Sequence, residues 1–195
     1  ALLFHAGRQR LKYMHTDDAK ELIKCCKMHG IPHKVSAPGM SQENGLAESM
    51  VRVEVEGCRC DLSQAGFPTS FWSHGVVHFA FAYCIQQRDG DGSSAYEKRF
   101  KEGPFPGLIV PFGAFVMFKQ QPSIEKAKAT QKFSSRMVAG VFLGYVQNPG
   151  GKWSGRYKVA ALTEFIGMDF RTGKTKSPIH VQKPARITFD ADNVV

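Results

Sequence analysis

The 195-residue sequence predicts an α/β part followed by a small all-β part. Up to about residue 105, segments with helical apolar spacing alternate with short strand-like runs. Beyond it only short β-type runs occur, separated by Gly- and Pro-rich turns. The charge changes at the same place. Residues 108–195 hold thirteen basic and five acidic side chains, against thirteen and twelve in residues 1–107, so nearly all of the net +9 lies in the second part. A composition of 43% hydrophobic and 22% charged residues excludes disordered, collagen-like and coiled-coil classes. No apolar run approaches the roughly 20 residues of a bilayer span, so no membrane partner is expected.

The elements follow in order. Residues 11–15 alternate as a half-buried strand does. Asp18 reads as an N-cap, with Glu21 three positions on as in a capping box. Ala19, Leu22, Ile23 and Cys26 keep helical spacing, and Gly30 suits the residue after a helix end. Residues 33–37 read as a strand behind Pro32, and residues 38–45 as a polar, turn-rich loop. A helix over 46–62 carries two apolar seams: Leu46, Met50 and Val53, then Val51, Val55, Cys58 and Leu62. Its polar face carries Glu48, Arg52 and Arg59. A second helix over 68–86 starts at Pro68, with Phe71, Trp72, Val76, Phe79, Ala80 and Tyr83 as its apolar face. A loop over 88–94, a helical turn over 96–100 and a break at Gly103-Pro104-Phe105-Pro106 complete the first part. Strands are expected over 108–119, 138–146, 157–162 and about 175–182.

Five cysteines, an odd number with no leader peptide, favour a reducing compartment, nuclear or cytoplasmic, over secretion. Zinc is not expected. Cys25 and Cys26 are adjacent on a helix, and Cys58-x-Cys60 lies on different faces of the next, so such pairs diverge instead of converging on an ion. Buried thiols are the expectation. The chain opens on Ala1, which predicts a piece of something longer.

One cluster carries chemistry. A strand leads into Thr16-Asp17-Asp18; a helix, a strand and a loop follow, and Glu48 then falls on the first turn of a helix. A carboxylate at a strand end and another on a nearby helix are what a two-metal phosphoryl-transfer site uses. Hard Mg²⁺ or Mn²⁺ prefers carboxylate oxygens, and paired ions stabilise the attacking and leaving oxygens. On spacing alone an Asp at a helix start is a cap, and a Glu in a first turn serves the helix dipole.

The surrounding residues add specificity. Pro38-Gly39-Met40-Ser41-Gln42-Glu43-Asn44-Gly45-Leu46-Ala47-Glu48 resembles the P-G-x-x-Q-x-N-G-x-A-E stretch of integrases of Ty1/copia-type retrotransposons. His29-Gly30-Ile31-Pro32-His33 resembles that family's H-G-I-x-H. Ala65 to Trp72 resembles A-G-L-P-x-x-F-W, and Ser94-Ala95-Tyr96-Glu97 resembles T-P-Y-E. Phe112 to Val116 is similar to F-G-x-x-A-Y-V, and Lys132 to Tyr145 to K-x-x-x-R-x-x-x-G-x-F-L-G-Y. The blocks keep the family's order over about residues 11 to 190.

The resemblance implies an α/β ribonuclease-H-like core, N-terminally truncated, over residues 1–105. It implies a small all-β SH3-like barrel over 106–190 and a tail over 191–195. It implies an integrase that trims element DNA ends and joins them to target DNA, using an Asp, Asp, Glu triad and two divalent ions. Asp17 and Glu48 match two of the three positions, as catalytic residues and ligands of Mg²⁺ or Mn²⁺. Gln42 and Asn44 match loop positions placed to meet DNA. Arg52 on the Glu48 helix, and Lys132, Arg136, Lys152, Arg156 and Lys158 in the basic part, are candidate nucleic-acid contacts. Trp153 is a candidate stacking platform, although its place between glycines favours a side chain covering the barrel. DNA and a second copy of the chain are the implied partners.

The sequence departs from the family in three ways. None of the sixteen residues before Asp17 is Asp or Glu, so the triad's first Asp is missing. Thirty residues separate Asp17 from Glu48, fewer than the family's usual interval. The run Ser49-Met50-Val51-Arg52-Val53-Glu54-Val55 replaces one richer in Arg, Asn and Leu. The expectation is an integrase fragment inactive or nearly so as this chain. The alternatives are a nucleic-acid-binding module without chemistry and a degenerate element-derived product.

Overall fold

The computed structural model describes residues 11–16, 18–36, 45–120, 136–175 and 177–189. These group into two compact units, divided after Glu54, with Asn148–Lys152 counted in the first.

In the first unit, strand β1 (Met14–Thr16), helix α1 (Lys20–Met28) and strand β2 (His33–Val35) form a β-α-β element. The strands pair in parallel, Met14 against His33 and Thr16 against Val35. A parallel pair cannot close with a hairpin, and α1 supplies the crossover. The N-cap is Ala19, not Asp18, and no side chain caps it. The Ala19 carbonyl accepts from both Leu22 N–H and Ile23 N–H, so the first helical bonds form one residue later than the side-chain pattern implies. The other end follows expectation. Gly30 adopts φ +62°, its N–H donates to the Lys27 carbonyl at 3.3 Å, and Ile31 N–H donates to the Cys26 carbonyl at 2.9 Å. These two bonds make a Schellman motif, which satisfies carbonyls the helix end leaves free. Cys26 is buried, with its thiol 3.5 Å from the Met14 sulfur.

Helix α2 (Gly45–Gln64) runs from one unit into the other. Its two expected seams are corrected in the first half: Leu46 is 81% and Val51 58% exposed, and Met50 and Val55 are also exposed. Burial begins at Cys58 and Leu62, where helix α3 (Trp72–Gln86) lies alongside. Gly57 and Gly75 permit this approach. A Cβ at Gly57 would overlap the Phe79 ring, and one at Gly75 would lie 3.0 Å from Cys58 Sγ. Pro68 precedes a 3₁₀ turn (Thr69–Phe71) instead of sitting in the helix. The buried side of α3 is Gly75, His78, Phe81, Ala82 and Ile85, whereas Trp72 is 62% exposed. The helix is apolar almost all round, so its own spacing could not say which face packs.

The short helix α4 (Ala95–Phe100) has a complete capping box. Ser94 Oγ accepts from Glu97 N–H, and Ser94 N–H donates to the Glu97 carboxylate. Arg88 pairs with Glu97, and Lys98 bridges Asp89 and Asp91 at 2.6 and 3.0 Å. The Arg88 hydrogen bond first, and then the Ser94 N–H, hold the Glu97 carboxyl below its ordinary range. Ser94→Ala is expected to lower stability by about 1 kcal/mol. Urea unfolding followed by circular dichroism measures it, and an unchanged midpoint would mean the cap carries no weight.

The second unit is built on a five-stranded antiparallel sheet of order β6-β5-β4-β3-β7. The strands are β3 (Phe115–Lys119), β4 (Met137–Gln147), β5 (Trp153–Ala161), β6 (Val181–Gln182) and β7 (Ile187–Thr188). The first strand is shorter than expected, and β7 was not foreseen. Residues 108–112 do not pair as a strand because side chains take up their backbone groups. Leu108 N–H donates to the Tyr157 hydroxyl at 2.9 Å. The Tyr145 hydroxyl accepts from Val110 N–H at 3.1 Å and donates to the Leu108 carbonyl at 3.0 Å. Burial pushes the Tyr145 phenol up to about 12, which keeps it a donor.

Both faces of the sheet are covered. Phe142, Tyr145, Tyr157 and Val159 meet Phe81, Ile85 and Tyr96 on one side. Val141, Leu143 and Ala160 meet Cys58, Leu62, Phe71 and Phe165 on the other. The central strand β4 therefore reads as one apolar run instead of alternating. A bulge between Phe142 and Gly144 shifts its register against β5. Trp153 packs with Phe105 and Tyr157 at centroid distances of 5.0 and 5.3 Å, and its indole N–H donates to the Arg156 carbonyl, so it covers core instead of standing free. Residue 105 lies in the second unit, where α3 and α4 share an apolar cluster with the sheet. The chain is thus mixed α/β with a five-stranded antiparallel sheet, an architecture compatible with a ribonuclease-H-like core followed by a β domain.

Candidate nucleic-acid interface

Among the acidic candidates, Glu48 lies on the first turn of α2 and is exposed. Asp17 lies outside the described residues, as do Gln42, Asn44 and Lys132. Thr16, the residue before Asp17, ends β1 opposite Val35. Among the described residues no three His, Cys, Asp or Glu side chains converge as metal ligands would. None of the five cysteines forms a disulfide. Cys26 and Cys58 are buried, whereas Cys60 and Cys84 are exposed, against the expectation of buried thiols throughout.

Arg52 and Arg59 are exposed on α2, on the polar side with Glu48. In the basic part, Arg136 is exposed just before β4, and Lys152 lies half-buried in the β4–β5 turn, where Asn148 N–H donates to its carbonyl at 2.8 Å. Arg156 and Lys158 are on β5, the first exposed and the second half-buried. Two residues not singled out from the sequence adjoin Lys158. Lys183 follows β6, and its charge together with burial holds the Lys158 ammonium below its ordinary value, burial acting first. His74 on α3 is held low by burial and then by Lys158. The signal was faint in sequence: β6 is two residues long, and His74 sits among apolar neighbours.

A buried polar pair underlies this surface. His78 is 4% exposed, with Nδ1 2.7 Å from Asp61 Oδ2 and Nε2 3.2 Å from the Val110 carbonyl. A carbonyl has no hydrogen to give, so Nε2–H donates, and one proton is shared between Nδ1 and the carboxylate. The pair ties α2, α3 and the 108–112 segment together. Asp61 opens on a cleft of about 570 Å³ whose walls include Gln64, Tyr83, Gln86 and Ile109. Nothing in the sequence pairs residues 61 and 78 before the two helices are docked.

Fold and surface together define a mixed α/β chain with a basic antiparallel sheet. Over 81 residues, 39% of its length, the chain is 37% identical to the retrovirus-related Pol polyprotein from transposon TNT 1-94 of Nicotiana tabacum. It spans 6% of that polyprotein's length. No protein-family model matches it. The similarity supports a retroelement-derived protein of the Ty1/copia type. Among the described residues no helix is long and apolar enough to cross a membrane.

Proposed function

We propose that the chain is a fragment of a Ty1/copia-type integrase that binds nucleic acid and does not join DNA strands. The observation carrying this reading is the Pro38-to-Glu48 motif with Glu48 on the first turn of α2. The similarity to a retroelement Pol polyprotein supports the same lineage. Read as family modules, residues 1–105 are the partial catalytic core, 106–190 the basic barrel and 191–195 a tail.

In this reading Asp17 and Glu48 are two of the catalytic carboxylates. Their oxygens are the donor type that Mg²⁺ or Mn²⁺ prefers, and such ions would stabilise the attacking and leaving oxygens of phosphoryl transfer. Two carboxylates are too few to hold a pair of ions, so the donor set does not fit the complete site and no catalytic step follows from it. Gln42 and Asn44 are proposed to meet DNA from the loop. Arg52, Lys132, Arg136, Lys152, Arg156 and Lys158 are proposed to meet phosphates. DNA is the proposed partner, a second copy of the chain a further one, and the nucleus or cytoplasm the compartment.

A joining assay with Mn²⁺ and pre-processed element ends tests the catalytic half. The expected result is no product above background; robust product abolished by Glu48→Gln would overturn it. The second reading, a binding module with no catalytic ancestry in use, is favoured by the concentration of thirteen basic side chains in the last 88 residues. A degenerate product without either activity would show neither joining nor salt-sensitive binding.

A further inference from the structure

The sheet sets two lysines side by side, with no counter-charge paired to them among the described residues. Ala160 pairs with Val181 and Val159 with Gln182, and Tyr157 N–H donates to the Pro184 carbonyl at 2.9 Å, so Lys158 stands opposite Lys183. Ala160 belongs to the apolar cluster shared with α2 and α3, and Val181 packs against it. Two residues further along each strand, Lys158 and Lys183 fall on that same face. Helix α3 passes close by. Gly144, the partner of Lys158 on β4, lies so near the helix that a Cβ there would be 3.6 Å from the His78 Cβ. His74 precedes His78 by one helical turn.

Lys158 and His74 are half-buried and Lys183 is exposed. The ion pairs His78–Asp61, Arg88–Glu97 and Lys98 with Asp89 and Asp91 of this unit involve none of these three groups. Like charges opposed on neighbouring strands destabilise a sheet, and partial burial sharpens the cost. Burial first, and then the neighbouring charge (Lys183 for Lys158, Lys158 for His74), holds both groups below their ordinary values. An oxyanion among the three would remove the repulsion and accept hydrogen bonds from both ammonium groups and the imidazole.

We propose that His74, Lys158 and Lys183 form a phosphate-binding site. Inorganic phosphate and the backbone of a nucleic acid present the same non-bridging oxygens to it. For the backbone, the inference rests on the nucleic-acid reading above; for free phosphate it stands without it.

The test uses the whole 195-residue chain, with the His74 ring resonances followed by NMR during titration with inorganic phosphate and, separately, with a short single-stranded oligonucleotide. A saturable His74 shift is expected. Lys183 is exposed, so Lys183→Gln keeps the fold and by itself must remove most of that shift. The double variant Lys158→Gln/Lys183→Gln should weaken binding by about tenfold or more. Lys119→Gln, at an exposed position on β3, should change it by less than about twofold. With the oligonucleotide, the slope of log affinity against log salt should flatten by about 0.7 for each lysine removed. A His74 response to phosphate alone supports the site and removes the nucleic-acid reading. Oligonucleotide binding with no His74 response overturns the site and leaves that reading standing. No response to either probe, or equal weakening by Lys119→Gln, also overturns the site.

Discussion

Replacing His78 by alanine is expected to cost about 3 kcal/mol of stability, the lower end of what breaking a buried charge pair costs. The change leaves the Asp61 carboxylate and the Val110 carbonyl without their shared partner. It also opens a void among rings: Phe112, Phe142 and Tyr145 lie 5.5, 5.8 and 6.0 Å from the imidazole. The lower end applies because the Asp61 side chain keeps 19% exposure and water can reach it. Asp61→Asn retains a polar partner for Nδ1 and should cost about 1 kcal/mol. Urea unfolding separates the two variants. With a slope of about 2 kcal/mol per molar urea, the His78→Ala midpoint should fall by about 1.5 M. A fall under a third of that would show that the imidazole does not hold the 108–112 segment to the helices.

Gly113→Ala should be comparably damaging for a different reason. Gly113 has φ +76°, where an L side chain costs about 1 kcal/mol or more. A Cβ there would also run into the Ala65 Cβ at the end of α2 and come within 3.3 Å of its Cα, which the backbone fixes. Overpacking of this kind adds typically 1–3 kcal/mol, for a total of about 3. The substitution would also disturb the bond from Gly113 N–H to the Phe142 carbonyl at 2.9 Å, where the segment joins the sheet. Thermal unfolding measures the loss. Gly90→Ala serves as the control, because a Cβ at Gly90 meets nothing within 4 Å; equal melting temperatures for the two variants would refute the argument.

The two effects show where sequence reasoning stops. Local signals were legible. Gly30 ends α1 with the turn its positive φ permits, the Ser94–Glu97 box starts α4, and the Gly103-to-Pro106 run marks a break. Apolar runs located β4 and β5, although their ends moved by one to four residues. Faces were read less well. α3 is apolar nearly all round, so its buried side was set by what lies next to it. α2 looked two-seamed along its length, but only the half beside α3 buries its apolar residues. Residues 108–112 have strand-like composition, yet Tyr145, Tyr157 and His78, all distant in sequence, take their backbone partners.

The candidate site divides in the same way. Sequence order carried the resemblance that names Asp17, Gln42, Asn44 and Glu48, because a motif is a property of neighbours along the chain. It also carried the charge step and the lack of Asp or Glu among residues 1–16. Tertiary structure alone set Lys183 opposite Lys158, brought His74 over them and joined Asp61 to His78. Strand register and helix docking bring together groups that the chain separates by 17 to 109 residues. No local spacing encodes such a meeting; it follows from burying both faces of one sheet.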